Sequence, residues 1–352
     1  MAFIGKTCIN NFLIKLNTEG IMVKIKGKTV LVTGAGGFIG SHLVEALAAK
    51  GAEVKTFVRY NSRNDWGMLE NVHSGVKDNL EVTRGDIIDF GVVKKAVKNC
   101  DIIFHLAALI GIPYSYIAPE SYVNTNIKGT LNLMQASLEE GVEKIVHTST
   151  SEVYGTAKYV PMDENHPLQG QSPYSASKIG ADMLAHSFFL SFNAPVAIIR
   201  PFNTFGPRQS ARAVIPTIIS QALSTQEINL GSLSPIRDLT YVKDTVNGFI
   251  KVAESDASVG EIINIGNGKG ITIGELANKI LTVMGCPDIP IHSDDKRVRP
   301  EKSEVMQLIC DNEKAKKIIG WSPHYSLDQG LKETLHWIRQ NRSVYKPGFY
   351  NL

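Results

Sequence analysis

The chain has 352 residues, 43% hydrophobic and 20% charged, an ordinary balance for a globular protein long enough to bury a large core. A formal net charge of +3 argues against nucleic acid or a membrane surface as partner, so an anionic ligand would bind in a local pocket. Cys8, Cys100, Cys286 and Cys310 lack metal-type spacing and read as reduced thiols of a cytoplasmic protein, with no metal centre expected.

Residues 1–27 read as an N-terminal extension. Its apolar positions, from Ile4 to Leu16, are interrupted by Lys6 and Lys15. No run approaches the ~20 residues of a membrane span, and there is no signal-peptide core. Met22 opens a segment that resembles the natural start of a fold.

Thr29-Val30-Leu31-Val32 is a β-branched run, followed at once by Gly34-Ala35-Gly36-Gly37-Phe38-Ile39-Gly40 and an amphipathic stretch ending at Gly51. Strand, glycine turn and helix in that order point to a dinucleotide. Glycines let the backbone approach a diphosphate, and the helix N-terminus faces it with partial positive charge. Further strands are expected at 54–58, 80–83, 102–106, 144–148 and 196–200. Helices are expected at 92–98, 121–140 and 175–192. This alternation predicts an α/β fold with a doubly wound parallel sheet over residues 28–200.

After Arg200 the rhythm breaks at Pro201, Pro207 and Pro216. Short strands (227–230, 239–242, 261–265) and helices (243–253, 273–284, 312–319) predict a smaller C-terminal α/β substrate domain over 201–345. A segment of about 237–258 is expected to return to the first domain.

The second strand ends in Val58-Arg59-Tyr60-Asn61-Ser62-Arg63, with no carboxylate for a ribose 2′-hydroxyl. Two arginines suit a 2′-phosphate, so the cofactor expectation is NADP or NAD with a lean to NADP. Asp86 could hold an adenine amino group or cap a helix.

His147-Thr148-Ser149-Thr150-Ser151-Glu152 reads as a buried strand spilling into a polar loop. Tyr174 and Lys178 lie four positions apart, on one helix face. An ammonium beside a phenol favours phenolate, which makes the pair a proton-transfer device, and Glu152 suggests a second proton transfer. The other reading is strand-end hydroxyls capping a helix beside a surface charge. His105 reads as structural or cofactor-facing. Asn126 supports the loop near it through backbone or water contacts.

Taken in order, these motifs resemble the extended short-chain dehydrogenases that act on nucleotide sugars. The resemblance rests on the glycine turn, Gly85-Asp86, His105-Leu106-Ala107-Ala108, Tyr174 to Lys178, Arg200-Pro201-Phe202-Asn203, Gly206-Pro207-Arg208 and Arg237-Asp238-Leu239-Thr240-Tyr241-Val242. It implies cofactor contacts from Gly34, Gly37, Phe38, Ile39, Gly40, Arg59, Asp86, Ile87, Leu106, Ala107, Ala108, Tyr174 and Lys178. It implies a catalytic pair of Tyr174 and Lys178, with Thr150 on the sugar 4-hydroxyl. Asn126, Asn203, Arg208, Arg237 and Arg299 are then substrate contacts, and a homodimer pairs through the helices near 121–140 and 175–192.

Thr150-Ser151-Glu152 is similar to the GDP-mannose 4,6-dehydratases and also to UDP-glucuronate decarboxylases, while simple 4-epimerases usually have no carboxylate there. Residues 210–244 look most like 4,6-dehydratases acting on UDP- or GDP-N-acetylglucosamine in legionaminic-acid-type pathways. The expected chemistry is oxidation at C4, loss of water across C5 and C6, and return of hydride to C6. Ser151 stands where some relatives carry an acid, leaving Glu152 to protonate the departing hydroxyl. Decarboxylation and 4-epimerisation are the alternatives, with a non-enzymatic NADP-binding regulator behind them.

Overall fold

The computed structural model describes residues 24–345. The β-branched run forms β1 (Thr29–Thr33), and the glycine turn leads into α1 (Phe38–Ala49). There follow β2 (Glu53–Arg59), the short α2 (Ser74–Lys77), β3 (Glu81–Gly85), α3 (Phe90–Val97) and β4 (Ile102–His105). The chain continues through α4 (Ile112–Ile117), α5 (Pro119–Tyr122), a π-helical turn at Val123–Lys128 and α6 (Gly129–Glu140). It then forms β5 (Lys144–Thr148), α7 (Pro173–Phe192) and β6 (Val196–Pro201).

These strands build a seven-stranded sheet of order β10-β6-β5-β4-β1-β2-β3, where β10 is Ile262–Ile265. Every pairing in it is parallel. Side chains alternate between two buried faces: Val30, Val32, Ile102 and Phe104 join one apolar cluster, and Leu31, Ile103 and Ile145 the other. That alternation is the period of a strand covered on both sides, and it explains why the strands read as continuous apolar runs. The strand order reverses about β1, so a crevice opens beyond the carboxyl ends of β1 and β4.

The C-terminal half contains β7 (Asn203–Phe205), α8 (Val214–Ala222), β8 (Ile228–Leu230), β9 (Ile236–Tyr241) and α9 (Val242–Glu254). Beyond β10 lie β11 (Gly270–Thr272), α10 (Ile273–Met284), β12 (Ile291–Ser293), β13 (Gln307–Leu308), α11 (Glu313–Ile319) and α12 (Leu327–Gln340). Strands β7, β9, β11 and β13 make a small second sheet, and β8 pairs with β12.

Two boundaries differ from the sequence reading. Ile25 is buried in the main core and the Gly27 amide donates to the Gly51 carbonyl at 2.9 Å, so the fold starts before residue 28. Residues 1–23 lie outside the described residues. Of the expected returning segment 237–258, the strand portion belongs to the small sheet. The returning pieces are α9, packed on α1, β5 and β6, and β10, which adds an edge to the main sheet. Their apolar faces decide this: Val246, Phe249 and Ile250 are buried in the main core.

Candidate active site

The glycine turn sits where β1 and β4 diverge. Gly34 has φ +71°, and a Cβ there would stand 2.7 Å from the Leu106 carbonyl carbon. A Cβ on Gly40 would stand 2.3 Å from the Gly34 carbonyl oxygen. Only glycine fits either place. Gly37 caps α1 without a side-chain cap, and the first turn, with Phe38 and Ile39, carries no acid. Bare N–H groups at a helix start, with no Cβ in the way, fit a diphosphate. Leu106 donates its amide to the Thr33 carbonyl at 3.1 Å and Ala107 to the Thr33 hydroxyl at 3.2 Å, so Leu106-Ala107-Ala108 runs beside the turn. His105 is buried between the hydroxyls of Thr33 (2.8 Å) and Thr130 (3.1 Å), a structural position.

Around the expected adenosine end, Asp86 accepts the Ile88 amide at 3.1 Å in a local turn, and Ile87 packs against Gly129. Arg59 is exposed at the end of β2. Arg63, its expected partner on a 2′-phosphate, is exposed and stands 3.0 Å from Asp65. The carboxylate absent from 58–63 stands two residues further on.

Helix α7 opens with Ser172 as N-cap in a reciprocal capping box with Ser175, and Pro173 at its first position. This sets Tyr174 in the first turn and Lys178 one turn later. Lys178 Nζ donates to the Thr148 carbonyl at the end of β5, at 2.6 Å. Burial lowers Lys178 to about 8, opposed by the Asp182 carboxylate. Tyr174 is shifted the other way. Burial raises it, a hydrogen bond with Thr150 opposes the rise, and the Glu152 charge adds to it. The expected depression of the phenol by Lys178 is therefore not what this structure shows, because the ammonium is engaged by Thr148 and desolvation dominates.

Thr150 N-caps a short 3₁₀ turn, Ser151–Tyr154, accepting the Glu152 amide at 3.2 Å. Ser151 and Glu152 are buried. Charge interactions link Glu152 to Tyr174 on one side and to Arg237 on the other. Arg237 donates to Glu304 at 3.1 Å, and Arg299 stands 3.5 Å from the same carboxylate. Two guanidiniums thus share one acid near Glu152, and their forked donors suit an anion. Asn203, on β7, has its side-chain oxygen buried without a hydrogen-bond partner.

Two expected substrate contacts are used elsewhere. Asn126, in the π-helical turn, bonds the Leu109 amide (2.8 Å) and carbonyl (3.0 Å) and the Ser177 hydroxyl (2.9 Å), so it fixes the loop after β4. Arg208 donates to Glu45 of α1 at 2.8 and 3.1 Å and to the Asn71 carbonyl at 3.0 Å, which consumes its fork. Glu304 and Asp182 have no part in the sequence reading, and Ser149 enters it only as a strand-end hydroxyl. Asp182 did carry a signal, one helical turn beyond Lys178 on the same face.

The fold, glycine turn and Tyr–Lys helix define a class, the extended short-chain dehydrogenase/reductases. A family profile described as GDP-mannose 4,6 dehydratase matches residues 31–334, and the chain belongs to that family. It is 33% identical over 317 residues to a UDP-glucose 4-epimerase of Mycolicibacterium smegmatis, covering 88% of this chain and 98% of the relative. It is 32% identical over 320 residues to a dTDP-glucose 4,6-dehydratase of an Actinoplanes species, covering 89% and 98%. Among solved structures it is similar to DesIV, a dTDP-glucose 4,6-dehydratase from Streptomyces venezuelae with NAD bound, with a TM-score of 0.81 and 31% identity, covering 91% of this chain and 99% of that one.

Proposed function

We propose that this protein is a nucleotide-sugar 4,6-dehydratase that converts an NDP-hexose to its 4-keto-6-deoxy derivative. The carrying observation is Glu152, a buried carboxylate beside Thr150 and Tyr174 and facing Arg237. Plain epimerisation needs no second carboxylate at that point.

When bound, NAD or NADP supplies a cationic nicotinamide that favours the Tyr174 phenolate, accepts hydride from C4 and returns it to C6. Tyr174 takes the 4-hydroxyl proton, with Thr150 holding the same oxygen. The 4-ketone acidifies C5, and Glu152 removes the C5 proton. The C6 hydroxyl leaves as water after receiving a proton, which Glu152 holds at that moment. Tyr174 stays hydrogen-bonded to the oxygen at C4 through elimination. As hydride reaches C6, C5 takes up a proton from Glu152, which is resupplied with the one Tyr174 took from the 4-hydroxyl, so both groups end as they began. Net change is loss of one water, with the cofactor regenerated.

Arg237 and Arg299 suit the diphosphate, and Asn203 offers an acceptor to the sugar nucleotide. The resemblance of residues 210–244 favours UDP- or GDP-N-acetylglucosamine. With Asp65 beside Arg63, a preference for NADP would rest mainly on Arg59. Exposed Met183, Leu190 and Phe192 on α7 support a homodimer, and the reduced-thiol composition a cytoplasmic setting. A 4-epimerase is the second reading, favoured by the M. smegmatis relative. Incubation with UDP-, GDP- and dTDP-hexoses and with UDP-glucuronate, followed by mass spectrometry and stereochemical assignment of the products, decides between them. Loss of water is expected. Unchanged mass with inverted C4, or loss of carbon dioxide from a glucuronate, would reject dehydration.

A further inference from the structure

Beneath the Tyr–Lys helix lies a polar cluster with no assigned role in the chemistry above. Asp182 is completely buried on α7, one turn past Lys178. Its Oδ2 accepts from Ser149 Oγ at 2.5 Å and from Arg200 Nε and Nη2 at 3.2 and 3.1 Å. Its Oδ1 stands 3.3 Å from His147 Nε2. Arg200 is held in turn by the Tyr154 hydroxyl at 3.0 Å, and that hydroxyl donates to Asn264 at 2.7 Å. The cluster ties α7 to β5, β6 and β10 directly behind the strand end that carries Thr148 and Thr150.

Two full cations, Lys178 and Arg200, are thereby placed in the interior against one full anion. Burial keeps His147 and His105, the other titratable groups facing Lys178 from β5 and β4, in their neutral forms. Tyr174, on the same helix, is a neutral phenol, since burial raises it. Among the described residues, Asp182 is thus the carboxylate whose charge acts on Lys178. Burial pushes Asp182 up, but His147, Arg200 and Lys178 together outweigh that, and it stays an anion.

We propose that Asp182 is a positioning residue for the Tyr174–Lys178 pair: it keeps Lys178 cationic in the interior and, through Ser149 and Arg200, registers α7 against the end of β5. An ammonium there is costly to bury without a counter-charge. The assignment rests on the Tyr–Lys chemistry proposed above.

The test is the pH profile of kcat/KM for the parent and Asp182→Asn with the nucleotide sugar it turns over. Lys178 is cationic below its folded value and loses its charge above it, so parent turnover should fall as pH rises through about 8. Removing an opposite charge shifts such a group by about one pH unit or more, so the variant's alkaline limb should lie lower by that amount. A purely structural role would scale the whole profile down and leave the limb in place, and that result would overturn the proposal. Should Asp182→Asn fail to fold, Asp182→Asn/Arg200→Met is compared with Arg200→Met instead of the parent, so that the Asp182 charge is the one difference between the two profiles. If neither folds, Asp182 is a folding residue and the assignment is lost. The ¹³Cε NMR shift of Lys178 in the cofactor-free protein follows the same titration without turnover. A parent that turns over no nucleotide sugar thus rejects the dehydratase reading, while an unmoved Lys178 midpoint rejects this one.

Discussion

Glu152 and Tyr174 have different tasks, and substitution should separate them. Glu152→Gln keeps size and burial but removes the base for C5. Elimination should fall ~10²–10⁴-fold, with cofactor binding unchanged, as read by product mass and by dinucleotide titration. Parent-rate formation of the keto-deoxy product by this variant would sink the dehydratase reading. Arg59→Ala addresses the cofactor: it should weaken NADP and leave NAD unaffected if the lone exposed guanidinium of β2 reads a 2′-phosphate. Equal affinities before and after would remove the lean to NADP. Arg208 and Asn126 show why residue type is a weak guide to role. Their donors suit a sugar nucleotide, yet the Glu45 carboxylate and the Leu109 carbonyl accept from them.

At the scale of elements, α1 carries the function in its first turn and α7 in its first two. The Gly40 position leaves 2.3 Å between an added Cβ and the Gly34 carbonyl oxygen, so Gly40→Ala must push the turn open. Loss of measurable NAD and NADP binding is expected, with the rest of the fold retained by circular dichroism. Ser172→Ala removes the reciprocal cap that starts α7. It should cost ~1 kcal/mol, seen in chemical denaturation, and lower kcat through Tyr174 in the adjoining turn. Among the helices outside the expected ranges, α8 and α12 are there for different reasons. Pro216 looked like a breaker, but it falls in the first turn of α8, where a missing N–H costs little. Helix α12 opens on a capping box, Ser326 with Gln329, a signal legible in the sequence.

Across the whole molecule, α7 both lines the site and shows apolar surface. Leu190 is 67% exposed and Phe192 53%, whereas Phe188 of the same helix is buried. A second copy of this chain pairing there would cover them. Leu190→Lys should then convert a dimer to a monomer in sedimentation without unfolding it, and an unchanged sedimentation coefficient would argue against that interface. Among the described residues no helix is long and apolar enough to cross a membrane.

What the sequence determined by itself was local. The glycine turn, the capped α7 and the spacing of Tyr174 and Lys178 are set by neighbours in the chain, through turn sterics and helical period, and so are the βα alternation and the parallel sheet it requires. Tertiary structure decided the partners. Glu304 comes between Arg237 and Arg299, Glu45 takes Arg208, and Asp182 gathers Ser149, His147 and Arg200 behind the site. It also decided the direction of Tyr174, because burial sets the cost of a phenolate and spacing along a helix cannot report burial. Charges act through space, and which charges meet depends on contacts far apart in the chain.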